Sequence, residues 1–302
     1  MFPVIHSLYK DFFPNGEYAK KHPKQMSAQE RIKIAEAVIQ QIGIDITNYL
    51  QADKVPEFKI RVVNQLHFLP YSFFESIYIP AIFLQCWGEV IDESILLKHN
   101  PQKESVEDLS KRVIKRMNVR EDEKDLILTK AFTQFYLHFY AEKPEIAKGA
   151  VKSVLAHEVT HSIRQDGIKN TLGFLKGTLG CLVVTPISYI FGMTAPWALV
   201  AGAIAGIAIK KYNDATVVRS YETSANIIPL LVYPKIIEGA VQLQRHLQEL
   251  KLYNKSKTFL GGLIYDQHGN ARSNFSHPPE TELMEIYAYM DSTSESKEEK
   301  NK

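Results

Sequence analysis

Apolar residues recur at helical spacing along most of this chain and at strand spacing only briefly. Ser27-Ala-Gln-Glu30 has the form of a capping box. It opens a helix through Ile32, Ile34, Ala35, Val38 and Ile39 that ends near Gly43, with a shorter helix over Asp45–Leu50. Residues 1–25 carry Pro3, Pro14, Gly16 and Pro23 and read as an irregular arm. Phe58–Val63 alternates apolar and polar positions, and Phe73–Ile79, closed by Pro80, is a second strand candidate. Helices are predicted over Ala81–Leu97, Glu104–Asn118 and Asp122–Tyr140. The last carries an aromatic stripe of Phe132, Phe135, Tyr136, Phe139 and Tyr140 that reads as core.

Pro144 begins a further helix, with Val151, Val154, Leu155, Val159 and Ile163 as its core-facing stripe. Beyond it, no charged residue occurs from Gly177 to Ile209. Gly192-Met-Thr-Ala-Pro196 divides this stretch into two arms, so 171–210 reads as a hydrophobic helical hairpin. Each arm is close to the minimum length for a bilayer crossing, the first only if Thr171–Lys176 is included and Lys176 snorkels, and Gly202, Ala205, Gly206 and Ala208 suit close helix packing in lipid. Lys169 and Lys176 precede the charge-free stretch and Lys210 and Lys211 follow it, which by the positive-inside rule leaves the rest of the chain cytoplasmic. The rival reading is a hairpin buried in a soluble cytoplasmic protein, or one that grips a membrane without crossing it.

Tyr212–Leu231 is predicted as a helix interrupted at Pro229, and another opens at Pro234 with Ile236, Ile237, Val241 and Leu243 on one face. Leu263–Arg272 reads as a loop, and a helix follows through Leu283, Ile286 and Tyr287. Asp291–Lys302 is polar, rich in Lys, Glu and Ser, and expected to be disordered. The predicted organisation is an N-terminal helical arm over 1–54, a main domain over 55–290 and a tail over 291–302. The fold class is mainly α with a small β-sheet (α+β).

Composition narrows the function. The net charge of +2 and the absence of a basic run interleaved with aromatics give no reason to expect nucleic acid as a partner. Cys86 and Cys181 are far apart in apolar surroundings and read as buried thiols rather than a disulfide. The N-terminal stretch lacks the basic region and apolar core of a signal peptide. Neither a nucleophile elbow nor a phosphate-cradling glycine loop occurs.

The chemistry-bearing motif is His157-Glu158-Val159-Thr160-His161. Helical residues four apart lie nearly above one another, so both imidazoles face one way and can chelate a metal ion, zinc above all. Glu158, about 60–100° round the helix, reaches a water on that ion without ligating it. The bland alternative is a surface helix with two histidines. A catalytic zinc needs a third protein ligand and one open position. The extended motif H-E-x-x-H-x-x-G-x-x-H would supply a third histidine, but Arg164 and Gly167 occupy those positions. The best candidate is Glu222, in Arg219–Asn226, with small Ala225 allowing close helix approach; an ordinary surface glutamate is the alternative.

Three motifs in this order carry a resemblance: Val154-Leu-Ala-His-Glu-Val-Thr-His161, Glu222-Thr-Ser-Ala-Asn226 and Ser276-His-Pro-Pro279. Over about Val55–Met290 the chain resembles the gluzincin metallopeptidases that include the CAAX prenyl endopeptidase and the bacterial membrane protease HtpX. The resemblance implies a zincin-like core with the hairpin inserted after the H-E-x-x-H helix. It also implies one zinc ion on His157, His161 and Glu222, with Glu158 as general base and His277 near the developing oxyanion. Arg219 and Asn226 are the expected support around the ligands. By the same analogy, Ser76, Ile77, Tyr78 and Ile79 form an edge strand that pairs with substrate backbone. Two departures stand out: Asn226 replaces the family's aspartate, and Leu283 stands where an arginine is usual. Members of that family also carry transmembrane helices ahead of H-E-x-x-H, which this chain lacks.

The expected function is a zinc endopeptidase acting on membrane-associated or misfolded proteins. The alternative is a catalytically weak or inactive gluzincin-fold module that binds a membrane or protein partner through the hairpin.

Overall fold

In the computed structural model, residues 2–52, 55–63, 70–73, 76–80, 84, 144–257, 265–271 and 277–300 are described. The described residues are mostly helical, with one three-stranded sheet. The helices foreseen at 81–97 (Leu84 apart), 104–118 and 122–140 lie outside them.

The arm expected at residues 1–25 begins instead as helix α1, Phe2–Phe12. Pro3 falls in its first turn, where no intrahelical N–H is needed, so it does not break the helix. Phe2, Ile5 and Leu8 recur at helical spacing and are almost wholly buried. Helix α2, Ala28–Leu50, opens with the expected capping box: Ser27 Oγ accepts from Glu30 N, and a Glu30 carboxylate oxygen accepts from Ser27 N at 2.8 Å. It does not stop at Gly43. There the ring of Phe58 lies so close that an added Cβ would come within 2.2 Å of it, so this glycine serves packing rather than termination. The helix runs on through Leu50 and ends at Gln51 in the left-handed region, φ 52°.

Strands β1 (Lys59–Val63), β2 (Tyr71–Phe73) and β3 (Ser76–Pro80) form a sheet in the order β1-β3-β2. β1 runs parallel to β3 and β2 antiparallel to it. Ser76, Ile77, Tyr78 and Ile79 therefore belong to the central strand, not to an edge as expected. Hydrogen bonding to β1 and β2 occupies both sides of its backbone, and Ile77 and Ile79 point into the core.

Helix α3, Pro144–Ile163, carries the H-E-x-x-H and is the hub. It packs against α1, α2, the sheet through β2 and β3, and three later helices. Its residues Val151, Leu155, Ala156 and Val159 join Phe2, Ile5, Leu8, Ile34, Ile39, Ile77 and Ile79 in the main core. Lys152 lies with its Nζ 3.4 Å from the ring centroid of Tyr233 and 4.5 Å from that of Phe12. Burial there pushes its ammonium down to about 8.

The hydrophobic stretch forms helices α4, Asp166–Ile190, and α5, Ala195–Asn213, packed along each other. Gly206 and Gly177 allow the closest approach: a Cβ on either would lie 2.8–2.9 Å from the other's carbonyl oxygen. Most large apolar side chains of both arms face outward, among them Phe174, Leu182, Ile190, Phe191, Trp197, Leu199, Ile204 and Ile207. Thr171–Ile190 is long and apolar enough to cross a membrane.

From α5 the chain continues through a π-helical turn, Asp214–Val218, into α6, Arg219–Val232. Helix α7, Ile237–Lys257, crosses α3 where Gly239 meets Ile146 and Ala150 of α3. Helix α8, Glu280–Lys300, continues through most of the segment expected to be disordered. Leu283 packs with Leu230, Ile236 and Ile237 in a second core.

Candidate metal centre

His157 and His161 come from consecutive turns of α3, as the spacing requires. Their Nε2 atoms lie 3.1 Å apart, and the rings meet edge to face. The α6 helix delivers Glu222, whose Oε2 lies 3.5 Å from His157 Nε2 and 3.4 Å from His161 Nε2. Ala225, fully buried one turn on, is the small residue that lets α6 approach α3. Arg164, stacked over Tyr221 with its guanidinium carbon 5.2 Å from the ring centroid, adds a further tie between the two segments.

These three side chains could hold a metal ion. Four donors placed tetrahedrally at about 2.0–2.2 Å from an ion stand about 3.3–3.6 Å from one another; the two separations to Glu222, 3.4 and 3.5 Å, fall in that range, and the His–His separation of 3.1 Å lies slightly below it. The Oε2 of Glu222 is buried and makes no hydrogen bond; only the surrounding imidazoles offset its charge, a role that a bound cation can take over. Two imidazoles and a carboxylate form a borderline nitrogen–oxygen donor set suited to a divalent transition ion.

One residue not foreseen completes the centre. Asp166 Oδ2 lies 2.9 Å from His161 Nδ1. Both side chains are nearly buried, at 6% and 12% exposure. The reason is conformational. Helix α3 ends at Ile163, and Gln165 at φ 56° turns the chain back, so Asp166 opens α4 beside the histidine it has just passed. The signal available in sequence was a carboxylate five positions beyond the second histidine. Such a partner fixes the tautomer, leaving Nε2 to face the cluster.

The charges are mutually dependent. Burial opposes a charged imidazole at His161, but Asp166 and Glu222 outweigh it and hold the ring up at about 10. Burial likewise opposes ionisation of Glu222, yet His157 and His161 keep its carboxyl well below the usual range. The metal-free centre is thus a protonated imidazole against a carboxylate.

The Oε1 of Glu158 is 3.9 Å from His157 Nε2, beside the cluster, with a 13% exposed side chain. His277 reaches the cluster from the segment before α8, its Nε2 3.4 Å from Glu222 Oε2 while most of its ring stays open to solvent. Arg219 and Asn226, expected around the ligands, instead tie α6 to α8. Arg219 pairs with Glu282, and Asn226 Oδ1 accepts from Tyr287 Oη at 3.3 Å. Asn226 Nδ2 also donates to the backbone carbonyl of Glu222 at 2.8 Å, so it steadies the ligand helix without touching a ligand side chain.

No family model, curated protein or solved structure matches the chain.

Proposed function

We propose that this protein is a zinc-dependent endopeptidase with a zincin-like core, acting on membrane-associated or misfolded proteins. The observation that carries the proposal is the convergence of His157, His161 and Glu222 from two helices, with Glu158 beside them. The ordered motifs that resemble the gluzincins of the CAAX-endopeptidase and HtpX group supply the reaction class.

His157, His161 and Glu222 would hold a zinc ion, which would supply Lewis acidity to a peptide carbonyl and a water molecule. The Glu158 carboxylate accepts a proton from the attacking water and returns it to the leaving amide nitrogen. Asp166 accepts the Nδ1–H of His161 and holds that ring in register. His277 donates towards the carbonyl oxygen as negative charge develops on it. An extended substrate pairs with the outer edge of β2, which belongs to the part of the sheet packed against α3. The exposed apolar hairpin seats the protein in a bilayer, with the catalytic part on the cytoplasmic side by its flanking lysines.

The test pairs metal content with turnover. Elemental analysis is expected to find one zinc per chain in the wild type and in Glu158→Gln. Against an unfolded protein the variant loses about 10²–10⁴-fold in rate. Wild-type hydrolysis by a metal-loaded Glu158→Gln protein overturns the assignment.

A further inference from the structure

Arg164 contacts both halves of the metal centre through the neighbours of its ligands. It is the first residue beyond α3, and its N–H donates to the carbonyl of Thr160 at 3.0 Å. Its backbone therefore still closes the last turn of the helix that carries His157 and His161. The next residue, Gln165, has the left-handed backbone that reverses the chain. That reversal brings Asp166 back to His161, while the Arg164 side chain runs across to the start of α6.

Two contacts define its place. On one side, Arg164 Nε lies 3.8 Å from Asp166 Oδ1, and the other oxygen of the same carboxylate lies 2.9 Å from His161 Nδ1. On the other side, the guanidinium lies over the ring of Tyr221, the residue bonded directly to Glu222. The Arg164 and Asp166 side chains are 21% and 6% exposed, so their attraction is screened less than that of a surface pair. Only a planar cation serves both contacts at once: its face meets the ring and its N–H edge meets the carboxylate.

What this tie bridges gives it its importance. Asp166 opens α4, and α5 returns through the π-helical turn to α6. The whole hairpin is thus inserted between the residue that steadies His161 and the helix that carries Glu222. A π-helical turn is also a point where helices bend. Metal–ligand distances hold within about 0.2 Å, so even a small drift of α6 against α3 weakens the site. Arg164 closes the base of the hairpin at the point where such a drift would begin.

We propose that Arg164 is a positioning residue of the metal centre, locking the Glu222-bearing start of α6 to the Asp166–His161 pair and so setting the separation of the ligands. This rests on the zinc reading of His157, His161 and Glu222. A cation–π contact is worth roughly 2–30-fold in an equilibrium. Loss of the support around metal ligands costs about 10–100-fold in affinity. The two ranges overlap near a tenfold loss.

The experiment uses the full chain and two metals. Zinc affinity is measured by chelator competition, and the visible ligand-field bands of cobalt(II) report the geometry of the donors. Circular dichroism confirms folding. The variants are Arg164→Met, Arg164→Lys, Tyr221→Leu, Tyr221→Phe and the double variant Arg164→Met/Tyr221→Leu. Arg164→Met and Tyr221→Leu are each expected to bind zinc about tenfold more weakly, with shifted cobalt bands. The double variant is expected to lose no more than either single one, because both break the same contact. Tyr221→Phe keeps the ring face and is expected to match the wild type. Arg164→Lys keeps the charge without the plane and is expected to resemble Arg164→Met. If Arg164→Met does not fold, Tyr221→Leu against Tyr221→Phe carries the same comparison. Wild-type affinity and wild-type cobalt bands in folded Arg164→Met or Tyr221→Leu overturn the proposal and leave the metal centre intact. Full rescue by Arg164→Lys, or losses that multiply to about a hundredfold in the double variant, also overturn it. A folded wild type that binds neither metal overturns the zinc reading and the role of Arg164 with it.

Discussion

Replacing Asp166 with alanine perturbs the metal centre in two opposed ways. With metal bound, the substitution removes the acceptor that lies 2.9 Å from His161 Nδ1. Loss of such a partner reduces metal affinity by about 10–100-fold, equivalent to about 1.4–2.8 kcal/mol. That range matches a buried hydrogen bond to a charged group. Without metal, Asp166 helps to hold the His161 imidazole protonated up to about 10. A metal ion must displace that proton. Below this pKa, apparent affinity therefore rises about tenfold per pH unit, or about a hundredfold from pH 7 to pH 9. In Asp166→Ala the imidazole loses its proton at lower pH, so proton competition weakens as well. The net loss in affinity is accordingly smallest at neutral pH and grows towards pH 9, where the wild type has gained most. Zinc affinity measured by competition with a chromophoric chelator at pH 7, 8 and 9 reads both effects, with circular dichroism as the check on folding. Asp166→Asn, which keeps a neutral acceptor, falls between the two proteins. A folded Asp166→Ala protein with wild-type affinity and the wild-type pH slope refutes the coupling of Asp166 to the centre.

Glu222→Ala removes the carboxylate that closes the ligand set, so the purified, folded variant is expected to carry less than one zinc per chain where the wild type carries one. Retention of a full equivalent rules Glu222 out as a ligand. Ile5→Ala tests whether the first helix is core: Ile5 is fully buried, so a loss of about 2–5 kcal/mol is expected in denaturant unfolding, against about ±0.5 for an exposed arm. Gly239→Ala puts a methyl 2.4 Å from the backbone nitrogen of Ala150. The expected cost is about 1–3 kcal/mol, as α7 is pushed off the metal-bearing helix. An unchanged unfolding midpoint would show that the α3–α7 crossing is looser than described.

The features legible in the sequence are those that depend on one element at a time. The four-residue spacing of His157 and His161 sets both imidazoles on one helix face whatever surrounds it, and the geometry of α3 bears this out. The capping box at Ser27 and the charge-free hairpin are likewise local in origin and appear where expected. Two local signals misled. Pro3 and Gly43 are helix breakers by type, but a first-turn position excuses the one and the Phe58 ring explains the other.

What the tertiary structure alone decided is which side chains meet across elements. Glu222 lies far along the chain from His161, beyond the whole hairpin, and only the packing of α6 on α3 brings its carboxylate within 3.4 Å. Asp166 reaches His161 because one residue, Gln165, adopts a left-handed backbone that no composition rule demands. The strand Ser76–Pro80 reads as strand in either position, yet among the described strands the pairing order makes it central, with β1 and β2 on either side. Periodicity along a chain records which face of an element is buried. It carries no record of which other element buries it, and the metal centre is assembled from those cross-element contacts.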